Sequence, residues 1–244
     1  MRIALMSANL GASYDVQIKQ GKVYLEDYLS VDLLCFGDQY LLGNQRVTGN
    51  YDEDIKLALD VGSKEILLMR GLAAKFRVGI GFGFVEKDDE GFIYNSYIVI
   101  DKEGDILHLH RSCCEKWMPN TDDVRYAKGS TYSTFTIKNL NLAIASYGDL
   151  EYMDHIVALN SLNPDAIIWP ITLQYNPTEW RNEGLNDLAN QLRILKPHVL
   201  MVNSFEEHDY SSGGAYVFHD GNIKKELPLG NMGILVVSDR EIKV

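Results

Sequence analysis

Thiol and imidazole side chains are the groups in this sequence with the most evident capacity for chemistry. The three cysteines are Cys35, Cys113 and Cys114. An odd number with two adjacent members is not a disulfide framework, so we expect reduced thiols and a cytoplasmic protein. His108 and His110 alternate along one predicted strand, which could suggest a metal pair. Because no third ligand lies at a suitable spacing, we predict neither a metal site nor a cofactor.

The elements that must position these groups are mainly short apolar segments of strand length. They are rich in Ile, Val, Leu and aromatic residues, which is typical of buried strands. Nine such segments recur along the chain: Arg2–Ala8, Asp32–Phe36, Arg77–Val85, Phe92–Ile100, Leu142–Tyr147, Ala166–Ile171, Val199–Phe205, Gly214–Phe218 and Met232–Val237.

Three longer segments have the apolar periodicity of helices, and two short ones predict hairpin turns. The helical segments are Tyr51–Phe76, Asp149–Leu162 and Thr178–Leu195. Asp101–Gly104 connects Phe92–Ile100 to Asp105–Arg111, and His219–Asn222 connects Gly214–Phe218 to Ile223–Leu229. Strands that alternate with helices, together with hairpins, indicate an α/β protein with one mixed sheet or two stacked mixed sheets covered by helices.

Composition narrows the classes of protein that need to be considered. The chain has 244 residues, 46% of them hydrophobic and only 6 of them proline, which favours a single α/β domain over residues 1–244 with a full core. The net charge of −11 argues against a nucleic acid as partner, since phosphate binding needs clustered Lys and Arg. No apolar run approaches the roughly 18 residues that span a bilayer, so we expect no membrane partner.

Five segments in order resemble the nitrilase (carbon–nitrogen hydrolase) superfamily over nearly the whole chain. One of them, DLLCFGDQYLLGN, is similar to the strand that ends in Pro-Glu in the family. Another, LAIASYGDLEYMD, matches the strand, elbow and helix around the family's nucleophile. The five segments are Asp32–Asn44, Gly81–Ile100, Gly104–Ser112, Leu142–Asp154 and Ser204–Gly230. The resemblance implies a four-layer α-β-β-α sandwich of two mixed sheets that dimerises through the helices beside the nucleophile.

The resemblance also implies where catalytic groups would lie. In the family, a cysteine thiolate attacks an amide or nitrile carbon, a glutamate acts as general base and a lysine stabilises the oxyanion. Tyr147 occupies the cysteine position here, because Tyr147-Gly148-Asp149 aligns with the family's Cys-x-Asp elbow. Asp38 occupies the glutamate position and Ser112 the lysine position. An auxiliary glutamate of the family corresponds to Asp123.

These replacements predict a catalytically degenerate site. A tyrosine phenol has a pKa near 10, which makes Tyr147 a poor acyl-transfer nucleophile, and its ring would fill the substrate pocket. Asp38 is one methylene shorter than glutamate, which withdraws the carboxylate by about 1.5 Å. Ser112 offers no cation to an oxyanion. A cavity lined by Asp38, Tyr147 and Trp169 could still bind a small amide, nitrile or carboxylate.

Other functions compete with this interpretation. An active amidase-type hydrolase of non-peptide C–N bonds would need rearranged residues, and Cys113, Cys114, Lys116 and Ser146 lie near the family's catalytic positions. A structural subunit that pairs with an active homologue is a third hypothesis. For the expected homodimer, we predict contacts from three residues of the outer helices, Tyr152, Met153 and Trp180.

Overall fold

The structure is a computed structural model that describes residues 1–207 and 211–243. Within these residues the chain forms twelve strands. In chain order they are β1 (Arg2–Ser7), β2 (Leu33–Phe36), β3 (Gly79–Lys87), β4 (Ile93–Ile100), β5 (Ile106–Arg111), β6 (Thr134–Ile137), β7 (Leu140–Ile144), β8 (Ala166–Ile171), β9 (His198–Asn203), β10 (Ala215–His219), β11 (Asn222–Leu227) and β12 (Gly233–Ser238).

The helices are α1 (Tyr14–Asp27), α2 (Tyr51–Leu57), α3 (Lys64–Phe76), α4 (Met153–Leu162), α5 (Pro177–Glu179), α6 (Leu185–Gln191) and α7 (Asp239–Ile242). Most of the helices connect the strands, whereas α7 follows the last strand and places Ile242 in the cluster between the sheets. Single turns of 3₁₀-helix occur at Tyr40–Leu42, Tyr147–Glu151 and Leu192–Ile194, and a π-helical turn, Trp180–Gly184, joins α5 to α6.

The strands form two six-stranded sheets. The first sheet has the order β12-β1-β2-β3-β4-β5 and the second the order β11-β10-β9-β8-β7-β6. In each sheet, three central strands are parallel: β1, β2 and β3 in the first, and β7, β8 and β9 in the second. The outer strands add antiparallel pairs, so both sheets are mixed, as predicted.

Three apolar layers hold the sandwich together. Between the sheets, Leu5 and Cys35 of the first sheet share a cluster with Ile168 and Leu200 of the second. A second cluster packs α1 and α3 on the outer face of the first sheet. A third packs α4 and α6 on the outer face of the second sheet. The predicted four-layer α-β-β-α sandwich is therefore confirmed.

Both predicted hairpins are confirmed, and the turn at Asp220-Gly221 has a clear local cause. Asp220 and Gly221 have φ angles of 50° and 69°. Two consecutive left-handed residues are the signature of a type I′ turn, which Asp-Gly favours because its twist matches that of paired strands.

The predicted helix Tyr51–Phe76 is wrong in one respect, because it is two helices. After α2 the chain becomes extended, and Leu59 pairs with β3. The Leu59 N–H donates to the Val85 carbonyl, and the Leu59 carbonyl accepts from the Lys87 N–H. A tertiary contact therefore interrupts the helical periodicity before α3 begins at Lys64.

Helices α1 and α7 and strand β6 were not predicted from the sequence. The inward face of α1 includes Gln17 and Gly21, so its apolar periodicity is weak. Gln17 is satisfied there because its amide binds the Gly11 N–H and the Tyr40 carbonyl. Strand β6 has only four residues and lies at the edge of its sheet.

Within the described residues, no helix is long and apolar enough to cross a bilayer.

Candidate functional site

Asp38, Ser112 and Tyr147 each follow the carboxyl end of a strand. Asp38 lies after β2, Ser112 directly after β5, and Tyr147 begins the 3₁₀ turn after β7. Tyr147 has a φ of 52°, a left-handed conformation that is uncommon for a non-glycine residue. Strained residues of this kind cluster at functional sites, so the backbone forms the sharp elbow that the resemblance implies.

Asp38 is buried, with an exposed fraction of 1%. Its carboxylate accepts hydrogen bonds from Asn95 Nδ2 at 3.0 Å and from Thr172 Oγ1 at 3.4 Å. Burial raises the pKa of Asp38 to about 7, against the opposing effect of these bonds, and the nearby Asp149 anion raises it further. The carboxyl therefore changes charge near neutral pH, and its polar partners are all neutral: the Asn95 amide, the Thr172 hydroxyl and the Gln39 backbone N–H.

Ser112 is connected to two different parts of the site. Its N–H donates to the Asn95 carbonyl at 2.8 Å, and Asn95 is also the amide that binds Asp38. Its side chain turns elsewhere, because Ser112 Oγ donates to Asp149 Oδ1 at 3.1 Å. Asn95 thus lies between Ser112 and Asp38 and binds both of them. The Ser112 hydroxyl itself binds a different carboxylate, that of Asp149.

Asp149 is the most extensively hydrogen-bonded group of the site. Besides Ser112, its carboxylate binds His110 Nε2 at 2.9 Å and three backbone N–H groups at 2.9, 2.9 and 3.0 Å, those of Cys113, Cys114 and Ser146. Burial alone would raise the pKa of Asp149, but His110 and the N–H donors lower it below its usual value. The carboxylate ties the segment after β5 to the elbow after β7.

The sequence placed Asp149 at the last position of the Cys-x-Asp elbow and at the start of a helix, without predicting its hydrogen bonds, and it marked His110 only as one member of a metal pair that lacked a third ligand. The spacing of His108 and His110 did carry a usable signal, since residues two apart in a strand share a face, and this face of β5 is turned toward the second sheet and the elbow. His108 instead stacks on Phe135, with ring centroids 4.8 Å apart. Among the described residues, no three His, Cys, Asp or Glu side chains are grouped as metal ligands.

The Tyr147 side chain is half-buried and packs against an apolar cluster beside Asp38's segment. That cluster consists of Leu42, Ala58, Val85, Ile93, Trp117 and Tyr126. The Tyr147 carbonyl accepts a hydrogen bond from Trp169 Nε1 at 2.8 Å. Trp169 is 3% exposed and belongs to the cluster beneath the outer helices, so it supports the elbow and offers little free surface to a ligand.

Asp123 lies in a loop and is paired with a neighbour in sequence. Arg125 donates to both oxygens of its carboxylate, with Nε at 2.8 Å from Oδ1, and the guanidinium stacks over the Tyr51 ring. The hydrogen bonds from Arg125 lower the pKa of Asp123 to about 2. The auxiliary role of Asp123 stays a prediction.

The neighbouring thiols are poorly suited to nucleophilic chemistry. Burial, with a further contribution from the Asp149 anion, raises the pKa of Cys113 to about 11. Burial also raises the pKa of Cys114, whose sulfur lies 3.4 Å from Ser112 Oγ. Because the thiolate is the nucleophilic form, both environments oppose reactivity. Lys116 forms an ion pair with Glu151, and about half of its side chain is exposed.

Two clefts lie near these groups. One, of about 540 Å³, is lined in part by Cys113. The other has a volume of about 580 Å³, and its lining includes Tyr175, Phe205, Glu206 and Ser212. It begins just beyond Thr172, the hydroxyl partner of Asp38, but neither Asp38 nor Ser112 nor Tyr147 lines either cleft. Both clefts are therefore distinct from the three catalytic positions.

Comparison with known proteins identifies the fold. No protein-family model matches the sequence, and no curated protein matches it. A carbon–nitrogen hydrolase from Helicobacter pylori G27 superposes with a TM-score of 0.82 and 14% identity, covering 100% of this chain and 91% of its own. A CN-hydrolase superfamily protein from Xanthomonas campestris, with an arsenic adduct in its active site, gives 0.80 and 13%, covering 100% and 92%.

A third similar structure is the glutamine-dependent NAD+ synthetase from Acinetobacter baumannii. It superposes with a TM-score of 0.72 and 18% identity over 96% of this chain, which spans only 44% of the synthetase's length. Structures at such low identity establish the fold and nothing finer. The chain has the nitrilase-like α-β-β-α sandwich.

Proposed function

We infer that this chain is a nitrilase-superfamily protein that has lost thiol-amidase chemistry and acts as a partner-binding subunit. The observation that carries the inference is the charge around the predicted site. Asp38 has the Asn95 amide, the Thr172 hydroxyl and the Gln39 backbone N–H as hydrogen-bond partners, and its charged neighbour is the Asp149 anion. A site for amide hydrolysis needs a preorganised positive or donor group where negative charge develops, and a second anion disfavours that charge.

The chemistry of the other two positions supports the same conclusion. The Ser112 hydroxyl is already engaged by Asp149, and the Tyr147 side chain packs in an apolar cluster. Covalent catalysis needs a nucleophile activated by an adjacent base. A half-buried phenol in this position leaves no space for an acyl group.

One observation favours the alternative of an active hydrolase. A pKa of about 7 at Asp38 suits a general acid or base at neutral pH. The thiols that would serve as its nucleophile, Cys113 and Cys114, both have raised pKa values. The Cys113 thiol donates to the carbonyls of Arg111 and Thr131, and the Cys114 sulfur contacts the Ser112 hydroxyl. The rearranged site would therefore have a base but no activated nucleophile.

The partner we propose is a second copy of this chain, with an active homologue as the other candidate. Helix α4 and the residue before it carry three apolar side chains that are well exposed: Tyr152 (37%), Met153 (62%) and Val157 (60%). Isolated apolar residues are normal at a surface, but a contiguous group favours an interface. Trp180, which we also expected to contribute, is buried and donates its indole N–H to Tyr216, so that part of the prediction is wrong.

The activity prediction is tested by reversal. We expect the natural protein to show no measurable hydrolysis of simple amides, nitriles or carbamoyl amines, because thiol, cation and full-length carboxylate are all replaced. The variant that combines Asp38→Glu, Ser112→Lys and Tyr147→Cys is assayed beside it, with Tyr147→Cys alone as the matched control. Activity in the triple variant alone would support the assignment of all three positions.

A different pattern of activity would support the rearranged hydrolase. Turnover by the natural protein that survives Asp38→Asn and Tyr147→Phe, but is lost in Cys114→Ala or Cys113→Ala, would establish the rearranged hydrolase and overturn our proposal.

The assembly prediction is tested with one exposed residue on each outer face. Met153→Glu in α4 should weaken self-association by about tenfold or more, since it places a charge in an apolar interface. Leu67→Glu is the control, because Leu67 is also exposed (50%) but lies on α3 at the opposite face. Sedimentation equilibrium of the three proteins measures the effect. A natural protein that is monomeric at micromolar concentration would exclude a homodimer through α4.

A further inference from the structure

A second polar cavity lies at the opposite end of the second sheet from the candidate site. Strand β9 begins at His198 and ends at Asn203, whose side chain binds the segment beyond β8 that leads to the cleft. The cavity lies at the His198 end and has a volume of about 300 Å³. Its polar lining comes from five residues, His198, His219, Lys224, Lys225 and Glu241.

The two histidines form a stacked pair at this end of the second sheet, His198 at the start of β9 and His219 at the end of β10. Their rings are parallel within 6°, with centroids 3.9 Å apart. His219 Nδ1 is buried and has no hydrogen-bond partner within the described residues. Burial, then the neighbouring His219 and Lys224, lower the pKa of His198 to about 4. Every neighbouring charge that acts on His198 thus opposes its protonation in the absence of a ligand.

The charges of the other lining residues are unequally compensated. Lys225 donates to the Val236 carbonyl at 2.7 Å and to Glu241 Oε1 at 2.9 Å. Glu241 also accepts from the N–H and hydroxyl of Ser238, and its pKa is lowered to about 2, so it is anionic. Lys224 has no ion-pair partner among the described residues. A surplus of positive and proton-accepting groups therefore faces one cavity in a protein of net charge −11.

We propose that this cavity binds a small dianionic oxyanion, namely a phosphate group. Lys224 and the free N–H bond of Lys225 supply charge-assisted donors, and the imidazoles of His198 and His219 supply further ring nitrogens. The two imidazole rings are parallel, so their nitrogens do not point toward one metal ion. A tetrahedral anion has several oxygens, which can accept hydrogen bonds from different directions. The cavity has room for a phosphate and a small attached group.

Binding of the anion is coupled to proton uptake. A dianion beside His198 offsets the electrostatic effect of His219 and Lys224 and raises the His198 pKa. By linkage, the anion then binds more tightly as the pH falls. The charged groups that face the imidazoles are Lys224, Lys225 and Glu241. Glu241 stays anionic over the neutral range, so the pH dependence comes from His198.

The test uses the natural protein with inorganic phosphate, sulfate and glycerol phosphate as probes. Sulfate stays dianionic between pH 8 and pH 6, so any change in its affinity reports protonation of the protein. Calorimetry should show sulfate binding about tenfold more tightly at pH 6 than at pH 8. The C2 protons of His198 and His219 should shift in the NMR spectrum as the probe saturates.

Variants at exposed lysines give a matched comparison. Lys224→Gln should weaken sulfate and phosphate binding by about fivefold to tenfold, the loss of one charge-assisted bond. Lys19→Gln removes the same charge from α1 on the other side of the molecule and should leave the affinity unchanged. His198→Gln should abolish most of the pH dependence, because it removes the imidazole that takes up the proton, while the lysine contribution remains.

The source of the phosphate is assigned by the third probe. Tighter binding of glycerol phosphate than of inorganic phosphate identifies the ligand as a phosphate monoester, and equal binding identifies free phosphate. The proposal is overturned if no probe binds at either pH. It is also overturned if Lys224→Gln and Lys19→Gln weaken binding equally, since that would indicate general screening of charge.

Discussion

Two buried aspartates in the candidate site differ sharply in how they are held. Asp149 receives hydrogen bonds from two side chains and three backbone N–H groups, and its pKa is lowered. Asp38 receives two side-chain hydrogen bonds, one of them at 3.4 Å, and its pKa is raised to about 7. The first carboxylate is stabilised as an anion, whereas the second is only partly compensated.

The difference indicates that Asp149 has a structural role in the site, whereas the predicted catalytic role falls on Asp38. Asp149 builds the elbow, and its donors come from two segments of the chain, the end of β5 with the residues after it and the elbow itself, so each segment depends on the other. Asp38 is the residue that we predict at the position of the family's general base, and its carboxyl is buried with only neutral hydrogen-bond partners. The function that we propose implies a scaffold that is kept around a disused catalytic position.

Removing the Asp149 charge should have the largest effect on stability. Asp149→Asn replaces an acceptor-only carboxylate by an amide, which leaves buried N–H groups and His110 without full partners. The loss should be about 3 kcal/mol or more in the free energy of unfolding. Urea denaturation followed by circular dichroism measures it, with the exposed Asp154→Asn of α4 as the control. A loss below that of the control would refute the scaffold role.

The corresponding change at Asp38 should be stabilising at alkaline pH. Its folded pKa of about 7 exceeds the unfolded value, so the folded state holds an extra proton between about pH 4 and pH 7. The contribution of Asp38 to stability is full below pH 4 and is lost as the pH rises to 7. Asp38→Asn has no such loss and should be about 1–3 kcal/mol more stable than the natural protein at pH 8.

Urea unfolding of both proteins at pH 4.5, 6 and 8 checks this expectation. The advantage of Asp38→Asn should shrink as the pH falls. A variant that is less stable than the natural protein at every pH would indicate that Asp38 is held as an anion, in contrast to our description.

Substitution of Ser112 should have the smallest effect, and it tests whether the Ser112 hydroxyl interacts with Asp149 or with Asp38. Ser112→Ala removes one hydrogen bond to Asp149 and should cost about 1 kcal/mol. The pH dependence attributed to Asp38 should be unchanged, because the Ser112 hydroxyl does not bind Asp38 in the structure. A shift in that pH dependence would show that Ser112 still acts on the base position.

Much of the fold could be predicted from sequence, since strand segments and hairpin turns are local patterns. The alternating apolar residues of β5 predict a strand, and Asp220-Gly221 predicts a tight turn, without reference to any distant segment. The break in Tyr51–Phe76 could not be predicted, because it depends on Leu59 pairing with β3. Likewise α1 was missed because Gln17, a polar residue, is buried by partners outside the helix.

The residue types by themselves determined what chemistry the site could support. A phenol, a hydroxyl and a short carboxylate cannot provide a thiolate, a cation and a full-length base, whatever their arrangement. Only the tertiary structure decided which group each side chain meets. Ser112 binds Asp149 and not Asp38, and Trp180 lies against Tyr216 and not at the surface. The physical reason is that burial and hydrogen bonding arise between segments that are remote in sequence, where local pattern carries no information.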